Sequence, residues 1–256
     1  MRPPLFLTLL LLASSSAFGH WEIYDCNGAL AYSTEVRNWR DTAILAIRAG
    51  LDRSNLNPHA VIDMSPFIPA YVKELVEPLP HGMVGLFDHP AMDTIFGNPN
   101  YLTDEQRSLV PERLWIWTRK IAGFISDLVM EALRPMTTLS LFVKQSSSVS
   151  KVAIGGTAQT FVDHLKHTDG NSLVTVILNA LGDLGTHYYL RGSQQLLRSG
   201  DSSYEERVAP PFSLLILPGE EFSNSRLGPA MFHNTGNVDG LSYRIVQFID
   251  FRFVNH

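Results

Sequence analysis

Residues 164–179 read HLKHTDGNSLVTVILN, a polar segment that passes directly into a β-branched run. Val, Ile and Thr favour strands, and Gly or Asn commonly bound them. Similar runs, bounded by Gly, Pro and Asn, occur at 139–143, 187–190, 212–217 and 243–249. Because no helical pattern separates them, these runs predict an antiparallel sandwich or barrel in the second half of the chain. The polar stretch 191–206 is predicted to be a mobile loop.

The first half of the chain has a helical pattern instead. Apolar residues recur at helical spacing over 38–53, and a second apolar stripe covers 114–129. Pro111 is expected to kink the second helix or make it restart, and Pro135 to end it. A loop rich in Pro, Gly and Asn over 77–100 lies between the two helices. The sequence therefore predicts a largely helical region over 38–134.

Length and composition bound the domain organisation and the partners. A chain of 256 residues with 45% hydrophobic content can build one substantial core, so residues 20–256 are expected to form a single domain. Within this domain, the strands over about 137–254 would form the core and the helical region would pack on it as a layer, which is an α+β fold. A formal charge of −5 without a basic run excludes a nucleic-acid partner.

The N-terminus has the pattern of an export signal. Arg2 precedes an apolar stretch over 5–12, and small residues follow up to Gly19 at a spacing typical of a peptidase site. We expect residues 1–19 to be a signal peptide, His20 to be the first mature residue, and the protein to be secreted or held in the lumen of the secretory pathway. The apolar stretch is too short to span a bilayer, so no stable membrane association is expected.

The segment that opens the strand-rich half also holds candidate metal ligands. His167 and Asp169 are two residues apart, and in an extended chain such residues point to the same side. His233 follows another strand that ends at Pro218-Gly219, and it is the best candidate for a third ligand. Two imidazoles and one carboxylate leave the opposite face of an octahedral ion open, as in non-haem iron(II) oxygenases.

A single arginine strengthens that prediction. Arg244 lies in an apolar strand, where Val246 and Phe248 share its face. A buried guanidinium needs an anion, and a carboxylate can accept two of its hydrogen bonds. An oxoacid co-substrate would supply that carboxylate. The alternative at this point is that Arg244 pairs with Asp250 or Glu221 as part of the scaffold.

In their order along the chain, these residues resemble the 2-oxoglutarate/Fe(II)-dependent dioxygenase superfamily, and within it the prolyl 4-hydroxylase-like branch. The resemblance covers about a third of the chain, from Gln159 to Phe251. Its matching motifs are His167-x-Asp169-Gly170, Leu178-Asn179, Gly185-Thr186-His-Tyr188, Leu215-Ile-Leu-Pro218-Gly219, His233, Gly240 and Arg244. Such families have a double-stranded β-helix, which is a jelly-roll barrel with helices packed on one side.

The resemblance also implies a function. His167, Asp169 and His233 would bind Fe(II), and Arg244 would bind the far carboxylate of 2-oxoglutarate, with Tyr188 as a further contact. Ascorbate would be a supporting reductant. The expected reaction is hydroxylation of an unactivated C–H bond in a peptide or small-molecule substrate, with release of succinate and CO2. The metal and the oxoacid carry the chemistry, so no catalytic acid or base is expected beyond the metal site.

Two other functions remain open at this stage. A copper monooxygenase would chelate its metal through the new N-terminal His20, but such enzymes resemble disulfide-pinned sandwiches and this chain has one cysteine. A cupin-like protein would bind a metal or ligand without using an oxoacid. His164 is interpreted as structural. In the Pro/Gly-rich loop, His81, Asp88 and His89 are interpreted as solvated loop residues.

Overall fold

The computed structural model describes the greater part of the chain in several segments. The described residues are 33–76, 82–85, 111–137, 141–152, 168–169, 172–181, 186–191, 204–220, 227–234 and 242–253. The predicted signal peptide over 1–19 lies outside them. None of the described helices combines the length and apolarity needed to cross a bilayer.

Helices and strands both contribute to the described part of the chain. The helices are α1 (Thr34–Leu51), α2 (Tyr71–Val76) and α3 (Glu112–Leu133). The strands are β1 (Ala60–Asp63), β2 (Gly82–Gly85), β3 (Leu141–Val152), β4 (Val174–Leu181), β5 (His187–Arg191), β6 (Tyr204–Val208), β7 (Ser213–Pro218), β8 (His233–Asn234) and β9 (Ser242–Phe253).

The strands form two antiparallel sheets. The larger sheet has the order β1-β7-β4-β9-β3-β2, and the smaller has the order β6-β5-β8. From β4 onward the chain passes to the smaller sheet for β5 and β6, returns for β7, crosses again for β8 and returns for β9. Two antiparallel sheets connected in this alternating way are the arrangement found in jelly-roll domains.

The two faces of the large sheet have different neighbours, as β4 shows. Val174, Val176 and Leu178 are fully buried and belong to the main core, which includes the apolar faces of α1 and α3. The alternate residue Ile177 belongs to a second cluster with Leu215, Leu217, Tyr188, Ala209 and Met231. Since Tyr188 lies on β5, this second cluster packs the small sheet against the other face of the large sheet. The helical layer and the small sheet therefore cover opposite faces.

Aromatic packing joins the helical layer together. Trp39 on α1 stacks with Phe124 on α3 at 5.8 Å between ring centroids, and Phe67 contacts both rings. Arg40 on α1 forms an ion pair with Glu131 on α3. The predicted apolar stripe of the second helix is confirmed by burial, because Leu114, Ile121, Phe124, Leu128 and Val129 are all fully buried or nearly so.

The first half of the chain is less helical than its sequence predicts. Strand β1 pairs with β7, and β2 pairs with β3, so two segments of the region 38–134 complete the large sheet. Strand β2 also falls within 77–100, which the composition predicts to be a loop. Each strand has four residues. A segment of that length carries almost no periodicity, and its pairing with a distant strand decides its conformation.

The start of the first helix and the ends of one predicted loop also differ from the predictions. The helix expected from Asn38 begins at Thr34, because the Ser33 hydroxyl accepts a hydrogen bond from Val36 N at 3.3 Å and caps it. Helix α3 begins directly after Pro111 and ends before Pro135, where the sequence predicts its end. The predicted mobile loop 191–206 is wrong at both ends, where β5 and β6 are antiparallel with Arg191 opposite Tyr204. Residues 192–203 lie outside the described part.

Candidate metal site

The end of β7 holds two distant segments of the chain side by side. Glu220 N donates to Asp169 O at 3.0 Å, and Met231 N donates to Pro218 O at 3.2 Å. The Thr168 hydroxyl also donates to the Glu220 carboxylate. Asp169 and the chain leading into β8 are therefore anchored two residues apart, at Glu220 and Pro218, on the end of β7 and its exit.

This anchoring brings Asp169 and His233 together. His233 Nε2 lies 3.4 Å from Asp169 Oδ2. The imidazole is 5% exposed and the carboxylate 28% exposed, so the pair is reached from the carboxylate side. The hydroxyl of Thr175, the second residue of β4, donates to the same Oδ2 and orients the carboxylate.

The strands of the small sheet orient His233. Strand β8 pairs with β5, with His233 opposite Tyr188, and Tyr189 N donates to Phe232 O at 3.0 Å. On the imidazole, Nδ1 lies 3.5 Å from Met231 O. A proton on Nδ1 would point to that carbonyl and leave the Nε2 lone pair facing Asp169, which is how metal-binding histidines are commonly held.

These two side chains fit a common divalent ion. Donor atoms about 2.1 Å from one ion and about 90–110° apart are separated by about 3.0–3.4 Å. The observed separation of 3.4 Å between His233 Nε2 and Asp169 Oδ2 is within that interval. An imidazole nitrogen with a carboxylate oxygen is also a donor set that iron(II) accepts.

The structure describes some of the predicted site residues and not others. His167 lies outside the described residues, as do His164, His81, Asp88 and His89. Among the described residues, no group of three or more histidine, cysteine or acidic side chains gathers closely enough to hold a metal. The described part of the predicted triad is therefore the pair Asp169 and His233. For Arg244 the structure describes the backbone alone. This residue is near the start of β9 and lies opposite Ser150 of β3.

Tyr188 lies next to this pair through the strand register. It is 8% exposed and belongs to the cluster between the two sheets. Its ring is 5.0 Å from that of His59, and burial raises the pKa of its phenol above the ordinary value. Burial likewise lowers the pKa of His59. Both rings are therefore expected to be neutral at pH 7, which suits an apolar wall.

Sequence reasoning did not assign roles to two polar residues of β4. Thr175 contacts Asp169, and Asn179 is 2% exposed between the sheets, where it accepts a hydrogen bond from the Thr186 hydroxyl at 3.0 Å. Their signal is visible in the sequence, because they are the polar residues of an otherwise apolar run and are four positions apart. In a strand that spacing puts both on one face.

Gly219 is required where β7 passes the metal-site segment. A Cβ at this position would lie 2.0 Å from Ser172 O and 2.9 Å from Asp169 O. We expect Gly219→Ala to lower the free energy of unfolding by about 1–3 kcal/mol, as overpacking does, and to weaken metal binding by displacing Asp169. Denaturant unfolding and calorimetric titration with Fe(II) measure the two effects.

Gly50→Ala is the matched control for that substitution. A Cβ at Gly50 would lie 2.3 Å from His59 O, which is also a backbone clash but one that does not involve Asp169 or Ser172. Gly50→Ala should lower stability and leave metal affinity unchanged. An equal loss of metal affinity in both variants would contradict the role given to Gly219.

Comparisons with known proteins give distant structural similarity alone. No protein-family model matches this chain, and no curated protein matches its sequence. A solved structure of dioxygenase for auxin oxidation 1 from Arabidopsis thaliana, a 2-oxoglutarate binary complex, is 14% identical, with 84% of this chain and 90% of that chain covered and a TM-score of 0.43.

Two prolyl hydroxylase structures are similarly distant. One, from Trichoplax adhaerens, is in complex with a hypoxia inducible factor oxygen degradation domain peptide fragment; it is 8% identical, covers 86% of this chain and 94% of that chain, and has a TM-score of 0.47. The other, from Phytophthora capsici, is 14% identical, with 88% of this chain and 68% of that chain covered and a TM-score of 0.45. At these values the similarity assigns the chain to no family.

Proposed function

We propose that this protein is a non-haem Fe(II)- and 2-oxoglutarate-dependent dioxygenase of the prolyl 4-hydroxylase-like branch, built on a double-stranded β-helix. The single observation that carries the proposal is the convergence of Asp169 and His233, which are distant in sequence, to 3.4 Å between ligand atoms. His167 would complete the site, because it lies two residues before Asp169. Three protein ligands of this kind leave positions for the oxoacid and oxygen.

Iron(II) with 2-oxoglutarate and oxygen would supply the oxidising chemistry, converting the oxoacid to succinate and CO2 as a substrate C–H bond is hydroxylated. The residues of the chain have the task of positioning. Thr175 holds the Asp169 carboxylate, and the β5–β8 pairing holds the His233 ring. Residues of the apolar cluster between the sheets, among them Ile177 and Leu215, would exclude water from the interior.

The backbone register supports Arg244 as the residue that binds the oxoacid. Along β9, Phe248 is opposite Ile177 and Val246 is opposite Asn179, and both partners belong to the β4 face that meets the small sheet. Position 244 is two residues from Val246 on the same strand, and we propose that it follows the same alternation. That end of the sheet is the one away from Thr175 and Asp169. A five-carbon diacid bound at the metal is shorter than this separation, so the long arginine side chain would have to extend toward the metal to meet it.

Substrate and location are proposed more broadly. A peptide or a small molecule would carry the C–H bond, and ascorbate would help to keep the iron reduced. We also propose that residues 1–19 are a signal peptide, so that the protein acts in the secretory pathway or outside the cell. Mass spectrometry of the protein secreted by expressing cells should find His20 at the amino terminus.

The direct test of the proposed function is turnover of the oxoacid. Purified protein incubated with Fe(II), ascorbate and 2-oxoglutarate in air should release succinate, and it should release none without iron. Uncoupled turnover of this kind needs no knowledge of the substrate. A folded protein that binds Fe(II) and 2-oxoglutarate but forms no succinate with candidate peptides would contradict the proposal. It would favour the cupin-like alternative.

A further inference from the structure

Strand β6 lies at an edge of the small sheet. Among the described strands, it pairs with β5 and with no other. Tyr189 of β5 is opposite Glu206, and it donates its backbone N–H to Phe232 O on the β8 side at 3.0 Å. Hydrogen-bonded and non-hydrogen-bonded pairs alternate in an antiparallel ladder, so Glu206 and Val208 direct their backbone N–H and C=O groups away from β5. These groups can pair with a further strand.

The charges of β6 are symmetric about its central residue. The strand reads YEERV, with Glu205 and Arg207 on either side of Glu206. Glu205 and Arg207 share one face, where they form an ion pair at 60% and 53% side-chain exposure. On the opposite face, the Glu206 carboxylate contacts His187 Nδ1. Charges on an edge strand disfavour pairing with an unrelated strand, but this order is complementary to itself.

The symmetric order selects one register for pairing with a second copy. A two-fold axis at Glu206 would join the outward-facing backbone groups of both strands and put Glu205 opposite Arg207 of the second copy, twice. An axis one residue away in either direction would instead put two glutamates or two arginines directly opposite each other, which is unfavourable. The two Glu206 carboxylates would be neighbours across the axis, but each contacts His187 of its own copy.

Apolar side chains are exposed at the same edge. Val208 is 50% exposed and Phe212 is 37% exposed, and the two prolines between them are exposed as well. With the axis at Glu206, Val208 would be opposite Tyr204 of the second copy, and β-branched and aromatic side chains form favourable cross-strand pairs. Exposed apolar residues that gather in one place commonly mark a contact with another molecule.

We propose that two copies of this protein associate through β6, which pairs with itself about a two-fold axis at Glu206 and joins the two small sheets into one. The partner is a second copy because the same five residues supply both the outward backbone groups and the matching charges. One short strand buries less area than a stable interface needs, so the dimer is reversible.

The test is sedimentation equilibrium of the purified full-length protein over a range of concentrations. The wild type should show a monomer–dimer equilibrium. Arg207→Glu replaces two opposite-charge pairs by two acidic pairs, so it should raise the dimer Kd about 10- to 30-fold. Glu205→Arg should do the same through two basic pairs. Arg53→Glu makes the same change of charge at an exposed position after α1, and it should leave the Kd unchanged.

Combining the two reversals should restore the association. The double variant Glu205→Arg/Arg207→Glu exchanges the charges, so its Kd should be close to that of the wild type. A mixture of the two single variants should form a heterodimer, because each introduced charge then faces an opposite one. A folding defect would not be cured by mixing. Hydrogen exchange of the Glu206 and Val208 amides should be slower at high than at low protein concentration.

Two results would overturn the inference. One is a wild-type protein that stays monomeric up to its solubility limit. The other is a dimer whose Kd is unchanged by both charge reversals, since such a dimer would use another surface. Neither result bears on the proposed function, which succinate release tests separately.

Discussion

Asp169→Ala is expected to abolish iron-dependent succinate formation and to weaken Fe(II) binding by more than 100-fold. Loss of a group that merely orients a metal ligand costs roughly 10- to 100-fold in affinity, so loss of a ligand should cost more. Asp169 is the carboxylate that the structure puts 3.4 Å from His233 Nε2, and hydrogen bonds from Glu220 N and the Thr175 hydroxyl hold it there. Calorimetric titration with Fe(II) under nitrogen measures the affinity.

The matched control is Asp127→Ala, which removes an exposed carboxylate from α3. That variant should bind Fe(II) and form succinate like the wild type. The Tm of Asp169→Ala without metal should stay within a few degrees of the wild-type value, since the side chain is partly exposed. Wild-type Fe(II) affinity in a folded Asp169→Ala protein would remove Asp169 from the site.

Arg244→Ala should affect the oxoacid and spare the metal. Removing one partner of a buried charge-assisted hydrogen-bonded pair costs about 2–5 kcal/mol, so we expect the Kd for 2-oxoglutarate to rise by roughly 30-fold or more. Fe(II) affinity should not change. The start of β4, next to Asp169, is opposite Phe251, whereas position 244 is near the other end of β9. Titrating succinate formation against 2-oxoglutarate concentration gives the shift.

Arg53→Ala is the control for lost positive charge, since Arg53 is exposed after α1. It should leave the 2-oxoglutarate requirement as it is. An unchanged requirement in Arg244→Ala would instead support the scaffold alternative, in which Arg244 pairs with Asp250 or Glu221. In that case a loss of stability in the variant, measured by denaturant unfolding, should accompany the unchanged requirement.

Local sequence was enough to predict the longer elements. Helix α3 combines 22 residues with a continuous apolar stripe, while β4 is a β-branched run and β7 an apolar run that ends at a proline, both too short for typical helices. Such segments carry their conformation in their own periodicity and side-chain shape. The same local information failed for β1 and β2, whose four residues become strands by pairing with β7 and β3.

By itself, the sequence determined the longer helices and strands of an α+β chain, and it named candidate side chains for binding a metal. The tertiary structure decided which of them meet. Asp169 and His233 approach because β7 and its exit bind both of their segments through backbone hydrogen bonds. The hydrogen bond from the Thr186 hydroxyl to Asn179 Oδ1 likewise joins β4 to the segment just before β5. Contacts between distant segments depend on strand order and register, which no local pattern encodes.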